Sequence, residues 1–486
     1  MDSAERSPAR PLRSQMEDHA LTPVPESERR SGWGLMTNTA GIASTLVQLA
    51  IGGGVTLIAG VWWGIVAGVV VAAFGGALGW LVGHVAHVSG TSSTVTARFY
   101  GLGVKGSVLA SLIFAFMILG FLALENALLY YGTLFMLGWS PNVGNAILIY
   151  GVLTVAWILL TIFGLTVVQR TSTVLLVAFV ALTIVLAVIA VVQSGASVGA
   201  LFAAGPVVPG YSGGVARFGA VVAILAGSAG ALALVDADFA RYARTTRDVG
   251  VLAVGGSIMI DVVVVVLGTV IIHAGSGAVA AFLGANPAVA ATQTGATVAD
   301  KVTWMIANNT GAFFVVLAGG FGFLLMYVAQ VKAQVLNTYS GSLALSNLAD
   351  GLLARTPGRV TMVVIGNVIG LLMVAGNILG LINSYLGVLG VTTTSLAAVI
   401  IADFFIVRRR QVAVHDEAES VNWAGVVSVV VAAVVGDLVQ ETGVFPLGFL
   451  VALVIVLIAY PVLRTSVLRP RQAVHAPAEG GTVPTA

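Results

Sequence analysis

The chain has 486 residues, 58% hydrophobic and 9% charged, with a mean hydropathy of +1.02. A soluble globular chain carries about 25% charged residues, so this composition excludes a soluble enzyme and a disordered protein, and a net charge of +2 offers no polyanion-binding face and no nucleic-acid partner. The absence of cysteine excludes disulfides, thiolate metal sites and cysteine nucleophiles.

Residues 1–31 are polar, rich in Arg, Glu, Ser and Pro, and lack the apolar centre of a signal peptide, which predicts a disordered cytoplasmic tail. Long apolar runs follow. A helix needs about 20 apolar residues to cross a bilayer, and the runs predict twelve such helices, at 33–59, 62–88, 107–137, 143–165, 171–193, 215–235, 249–274, 311–335, 359–380, 383–407, 421–440 and 446–463. The runs are continuously apolar rather than alternating, which excludes a strand barrel. The expected fold is an all-α polytopic membrane protein in a lipid bilayer: one transporter domain over 32–465, then a second polar cytoplasmic tail at 466–486.

Lys and Arg concentrate in cytoplasmic loops and so set the orientation. Arg6, Arg10, Arg13, Arg29 and Arg30 precede span 1, Arg98 and Lys105 follow span 2, and Arg170 follows span 4. Arg241, Arg244 and Arg247 follow span 6, Arg355 and Arg359 span 8, Arg408, Arg409 and Arg410 span 10, and Arg464, Arg469 and Arg471 span 12. Arg217 and Lys301 fall on the opposite side, and Lys332 lies within or near a span. Both termini are therefore expected in the cytoplasm, in a multi-pass protein of the cell membrane.

Spans 1 and 6 carry glycine clusters, Gly52-Gly53-Gly54 and Gly227-Ser228-Ala229-Gly230. Interior glycine costs a helix about 1 kcal/mol against alanine, although small residues also serve close helix packing in membranes. The clusters stand five spans apart. Transporters built from two inverted five-helix repeats break their helices at that spacing and expose backbone to substrate and coupling ion near the midplane. The expectation is a five-plus-five inverted repeat over about 33–407, broken in helices 1 and 6, with two C-terminal helices added at about 421–463.

Charges inside the spans are few: Glu125 beside Asn126 in span 3, Asp261 in span 7, and Lys332 between Gln330 and Gln334 in span 8. Such residues are costly in hydrocarbon and mark functional sites; the plainer alternatives are a structural ion pair or a snorkelling side chain. Phe121 lies one turn before Glu125 on the same face, and a ring beside a carboxyl suits a flat heterocycle. The candidate substrate-binding set is Gln48, Phe121, Glu125, Asn126, Ser228, Gln330 and Gln334. Asp236 and Asp238, where span 6 meets its three arginines, are candidates for an inside gate or anchor. Lys332 is the candidate coupling residue, an ammonium placed to stand in for a metal cation; if it instead points to the cytoplasm, Thr338 or Ser340 would serve a surviving sodium site. His84 and His87 have no third ligand nearby in sequence, so no metal site is assigned. Neither a nucleophile–base pair nor a phosphate-binding loop is present, so no catalytic residue is assigned.

Five short segments, in order along the twelve spans, resemble the nucleobase:cation symport-1 family in its purine–cytosine permease branch. They are Pro23-Val24-Pro25-Glu26-Ser27 with Arg29-Arg30; Ala97-Arg98-Phe99 with Gly103-Val104-Lys105-Gly106-Ser107; Asp236-Ala237-Asp238-Phe239-Ala240-Arg241-Tyr242; Tyr339-Ser340-Gly341-Ser342-Leu343; and Ile401-Ala402-Asp403-Phe404-Phe405 with Arg408-Arg409. The resemblance implies ten repeat helices plus two, a nucleobase-like substrate held between helices 1, 3, 6 and 8, and sodium or proton coupling. It also implies that Phe121 occupies the place of a base-stacking aromatic. The chain departs from the family pattern at Ile118, where a glutamine is typical, at Ala229, where helix 6 carries a second aromatic, and at Lys332-Ala333, where sodium-binding members have small hydroxyl residues.

The expected function is a secondary active transporter that imports a nucleobase or related small heterocycle by alternating access. No cofactor is expected, with Na+ or H+ as the coupling ion. An amino-acid or vitamin permease of the same architecture and an intramembrane enzyme are the competing readings. The polar residues of spans 3 and 8 favour a hydrogen-bonded ring over a zwitterion. The residues leave the oligomeric state open.

Overall fold

A computed structural model of the protein describes residues 19–162, 165–355, 357–413 and 418–469. Twelve membrane-crossing elements follow one another among the described residues. The first is a bent pair, α1a (Gly32–Ala43) and α1b (Leu46–Ala59), with a 69° bend between them. Then come α2 (Val61–Ser89), α3 (Ser107–Leu137), α4 (Val143–Ile162), α5 (Leu165–Ser194), α6 (Gly214–Ala240) and α7 (Thr246–Ala285). They continue as α8 (Gly320–Leu353), α9 (Arg359–Ala375), α10 (Ile382–Ile401), α11 (Trp423–Glu441) and α12 (Gly448–Val462). Helices that the inverted repeat would relate pack on each other: α2 against α7, and α3 against α8.

The break in the first span is not where the glycines predicted it. It falls at Ser44-Thr45. The Ser44 hydroxyl donates to the Ala40 carbonyl at 2.5 Å and closes α1a. Thr45 is extended, with φ −124° and ψ 172°, and its hydroxyl accepts from Gln48 N as the N-cap of α1b. Gly52 and Gly53 lie inside unbroken helix and serve contact instead. A Cβ on Gly52 would stand 2.6 Å from Val265 Cα, and one on Gly53 2.1 Å from Ile272 Cδ1, both on α7. The expected break in span 6 is likewise replaced by continuous helix through Gly227–Gly230. There Gly227 faces the Leu386 carbonyl and Gly230 the Thr393 hydroxyl of α10, each 2.6 Å from an added Cβ. Small residues bring backbones together in a membrane, where apolar burial gives no drive.

The eighth span also differs from expectation. Residues expected in one helix over 311–335 divide between a short helix, Thr310–Ala318, and the start of α8, separated by Gly319 at φ +54°. α8 then runs to Leu353 through a polar stretch that reads as a loop, because nearly every residue of Asn337–Asn347 is buried against neighbouring helices. α7 contains a π-helical turn, Met259–Val264, around the buried Asp261.

Residues 19–31, expected in a disordered tail, are packed on the basic face. Val24 is buried and its amide donates to Gly90 O at 2.9 Å. Arg30 N donates to Tyr242 O at 2.6 Å, and Arg244 N donates back to Arg30 O at 3.1 Å. The alternation of Pro with Val in Pro23-Val24-Pro25 holds the strand extended, which lets it bridge α2 and the α6–α7 turn. The tail residues 1–18 and 470–486 lie outside the described residues.

Candidate functional site

A small cavity of about 30 Å³ lies where α1, α3, α6 and α8 converge. Thr45 and Gln48 come from the α1 break, Phe121 and Glu125 from α3, Ser228 from α6 and Asn337 from α8; Met117, Ile118, Leu232 and Ile260 supply the apolar wall. Gln48 and Ser228 tie α1b to α6: Gln48 Nε2 donates to Ser228 Oγ at 3.0 Å. Asn337 Nδ2 donates to Glu125 Oε2 at 3.3 Å, and the Thr45 hydroxyl stands beside the same carboxyl. The Phe121 ring is held edge-on by Tyr385 of α10, with centroids 5.6 Å apart. The Tyr385 hydroxyl in turn donates to Met117 O.

Four of the seven substrate-site candidates, Gln48, Phe121, Glu125 and Ser228, line this cavity. The other three stand behind it. Asn126 points the other way round α3 and accepts from Trp157 Nε1 at 3.0 Å and from Gln334 Nε2 at 2.7 Å. Gln334 also donates to Leu122 O. Gln330 spans α8 to α3 and the α1 break, donating to Glu125 O at 3.3 Å while Leu46 N donates to its Oε1. Asn337 and Thr45 escaped the sequence reading. Asn337 lies seven residues after Gln330, hence on the same helical face, but beyond the expected end of the helix.

Lys332 is wholly buried and does not point to the basic face. Its ammonium donates to the carbonyls of Ser44 and Ala329 and stands 4.3 Å from the centroid of the Phe179 ring of α5. Thr338 and Ser340 are buried further along α8.

On the basic face the chain is closed by packing. Asp238 accepts from the amide and hydroxyl of Ser93 at 2.9 and 2.8 Å, joining the end of α6 to the short helix Ser93–Phe99. Arg241, also wholly buried, donates through Nη1 to His19 O at 2.7 Å and through Nη2 to the Tyr339 hydroxyl at 3.3 Å. Its guanidinium lies over the Tyr242 ring. Asp236 belongs elsewhere. It sits deeper, against Gly79 of α2, without a hydrogen bond to the described residues. His84 packs between aromatic rings, 5.7 Å from Phe404 and 5.9 Å from Phe405. On the opposite face a cavity of about 290 Å³ opens above the central one, walled by Val47, Ile51, Leu128, Ile224, Ile306 and Leu386.

A sequence profile of permeases for cytosine and purines, uracil, thiamine and allantoin matches residues 23–462. The chain belongs to this family. It is accordingly an integral membrane protein from a family of permeases rather than enzymes. A hydantoin permease of Microbacterium maritypicum is 31% identical over 104 residues, a stretch that covers 20% of this chain and 21% of that protein. The fold is that of Mhp1. Its inward-facing structure superposes with a TM-score of 0.69 at 19% identity, covering 91% of this chain and 92% of that one. A closed Mhp1 with bromovinylhydantoin bound, a nucleobase-cation-symport-1 transporter, gives 0.69 at 18% identity over 92% and 96%. A Na+-coupled sialic acid symporter in an outward-open state gives 0.62 at 12% identity over 93% of each chain.

Proposed function

We propose that this permease carries a nucleobase or a related flat heterocycle across the cell membrane, with the basic face and both termini in the cytoplasm. The observation that supports this most is the cavity's lining: one ring face, Phe121, opposed by hydrogen-bonding groups of four helices, Gln48, Glu125, Ser228 and Asn337. A planar ring with amide-like edges matches it, stacking on Phe121 while its N–H and C=O groups meet the carboxyl and the amides. A zwitterion would need a second fixed charge of opposite sign facing the cavity, and Lys332 is turned away towards Ser44 O.

The cavity holds about one water's volume, so a ring enters only as the wall residues part. Entry is from the face opposite the basic loops, where the wider cavity meets α1b, α6 and α10. Exit requires the contacts of Asp238 and Arg241 to open, and these two residues form the inside gate. The deciding experiment is counterflow of radiolabelled cytosine, uracil, hypoxanthine, allantoin and hydantoin in proteoliposomes. Saturable exchange of at least one, lost in Glu125→Gln, is expected. Exchange of amino acids and of none of the heterocycles would overturn the reading.

A further inference from the structure

The break of α1 leaves carbonyls at the end of α1a without helical partners, at the negative end of that half-helix's dipole. In transporters with broken helices such carbonyls coordinate the coupling cation. Here Ser44 O is taken by the ammonium of Lys332. The same ammonium donates a second hydrogen bond within its own helix, to Ala329 O at 3.0 Å, and lies over the π-face of Phe179 on α5. Three elements that meet at this point, α1, α5 and α8, thus all present electron density to one cation. The neighbouring carboxyl is Glu125 of α3, which interacts electrostatically with Lys332 across the break.

A sodium ion does not fit beside it. Sodium is hard and needs several oxygens. The next residue of α8, Ala333, offers no side-chain oxygen, and Lys332 itself adds a positive charge where the metal's would be. A buried ammonium without partners would be costly, and this one is partnered by the atoms that a metal would use.

We propose that the Lys332 ammonium is a resident cation at the α1 break, so that this permease binds no sodium there and transports without it. The proposal rests on the transporter reading. It adds a specificity-determining residue that selects against a metal co-substrate.

The test is made on purified full-length protein with radioactive sodium, in wild type, Lys332→Thr and Lys332→Ser. The sodium-binding readout involves no heterocycle, so it stands whatever counterflow shows. Wild type should show no saturable, displaceable sodium binding, and its thermal unfolding should be the same in sodium and in choline. Each hydroxyl variant should gain saturable, displaceable sodium binding that wild type lacks. In proteoliposomes, wild-type uptake should be unchanged when choline replaces sodium, and uptake by Lys332→Thr should come to require sodium. Saturable sodium binding by wild type overturns the proposal. So do hydroxyl variants that fold, judged by a monodisperse elution peak, and still bind no sodium, because the position would then be no cation site. Lys332→Arg, which keeps a cation in place, should stay folded and indifferent to sodium. If only the hydroxyl variants fail to fold, wild-type binding and the arginine variant still decide, and a sodium-dependent Lys332→Arg counts against the proposal.

Discussion

Removal of the Arg241 side chain should open the basic face. Arg241 is completely enclosed, and among the described residues its guanidinium makes two hydrogen bonds across the closure, to His19 O of the N-terminal segment and to the Tyr339 hydroxyl of α8. Hydrogen bonds from a charged donor contribute roughly 1.5–3 kcal/mol each. Arg241→Ala deletes both, while its stacking partner Tyr242 keeps its backbone pairing with Arg30. The lower bound, about 3 kcal/mol, is about a hundredfold in the ratio of closed to open forms. The chain has no cysteine, so a single engineered thiol reports this ratio directly. Val235→Cys places one at the wall of the central cavity, behind the closure. A membrane-impermeant maleimide applied from the basic face should label it slowly in the otherwise native protein and up to about a hundredfold faster with Arg241→Ala. Equal labelling rates in two well-folded proteins would refute the view that this arginine holds the face shut.

Asp238→Asn keeps an acceptor for Ser93 but gives up the charge-assisted bond; transport should fall several-fold, with protein in the membrane at parental amounts, as read by uptake normalised to a surface blot. Glycines of the first span should respond by position. Gly54→Ala meets nothing within 4 Å and should leave the melting temperature unchanged, whereas Gly52→Ala drives a Cβ to 2.6 Å from Val265 Cα and should cost about 1–3 kcal/mol, measured by thermal unfolding in detergent. Ser228→Ala removes the Gln48 bridge between α1b and α6 and should raise the half-saturating substrate concentration about tenfold or less, measured by concentration-dependent uptake; a lost maximal rate at unchanged affinity would argue against a place at the substrate.

The spans were legible because each apolar run is long enough to cross a bilayer and basic residues flank them on one side. Two things were hidden for physical reasons. The helix break was sought at glycine, the weakest helix former among the residues there, but in hydrocarbon those glycines are contact surfaces and the chain turns where Ser44 and Thr45 can replace lost backbone partners with their own hydroxyls. The second half of α8 was hidden because Asn337, Thr338, Ser340, Ser342, Ser346 and Asn347 resemble a loop, although all six are buried inside the bundle and Asn337, Ser342, Ser346 and Asn347 are hydrogen-bonded there. Asn347, for example, donates to the Ser111 hydroxyl at 2.6 Å and accepts from Arg98 Nε at 2.5 Å. That truncation cost the reading Asn337, the α8 residue of the central cavity. Glu125 was visible as a charge in an apolar helix, Phe121 because it lies one turn before Glu125, and Gln48 and Ser228 because they lie beside and within the glycine clusters.

The break at Ser44-Thr45 also joins two chemistries. Thr45 faces the cavity, and the preceding carbonyl, Ser44 O, holds the ammonium of Lys332. On α8, Lys332 and Asn337 are five residues apart, about 7.5 Å along the axis. The first grips the back of the break, and the second reaches Glu125 in front of it. α8 cannot slide along its own axis without straining both contacts together, the first to α1 and the second to α3, because the rigid helix carries both side chains. Glu125 faces both, bonded by Asn337 and attracted by Lys332. A substrate hydrogen bond that competes with Asn337 for the carboxyl would loosen α8 from α3 at the point where the same helix is pinned to α1. Binding in the cavity would then be felt at the cation position through about one turn of helix, without any longer path through the protein.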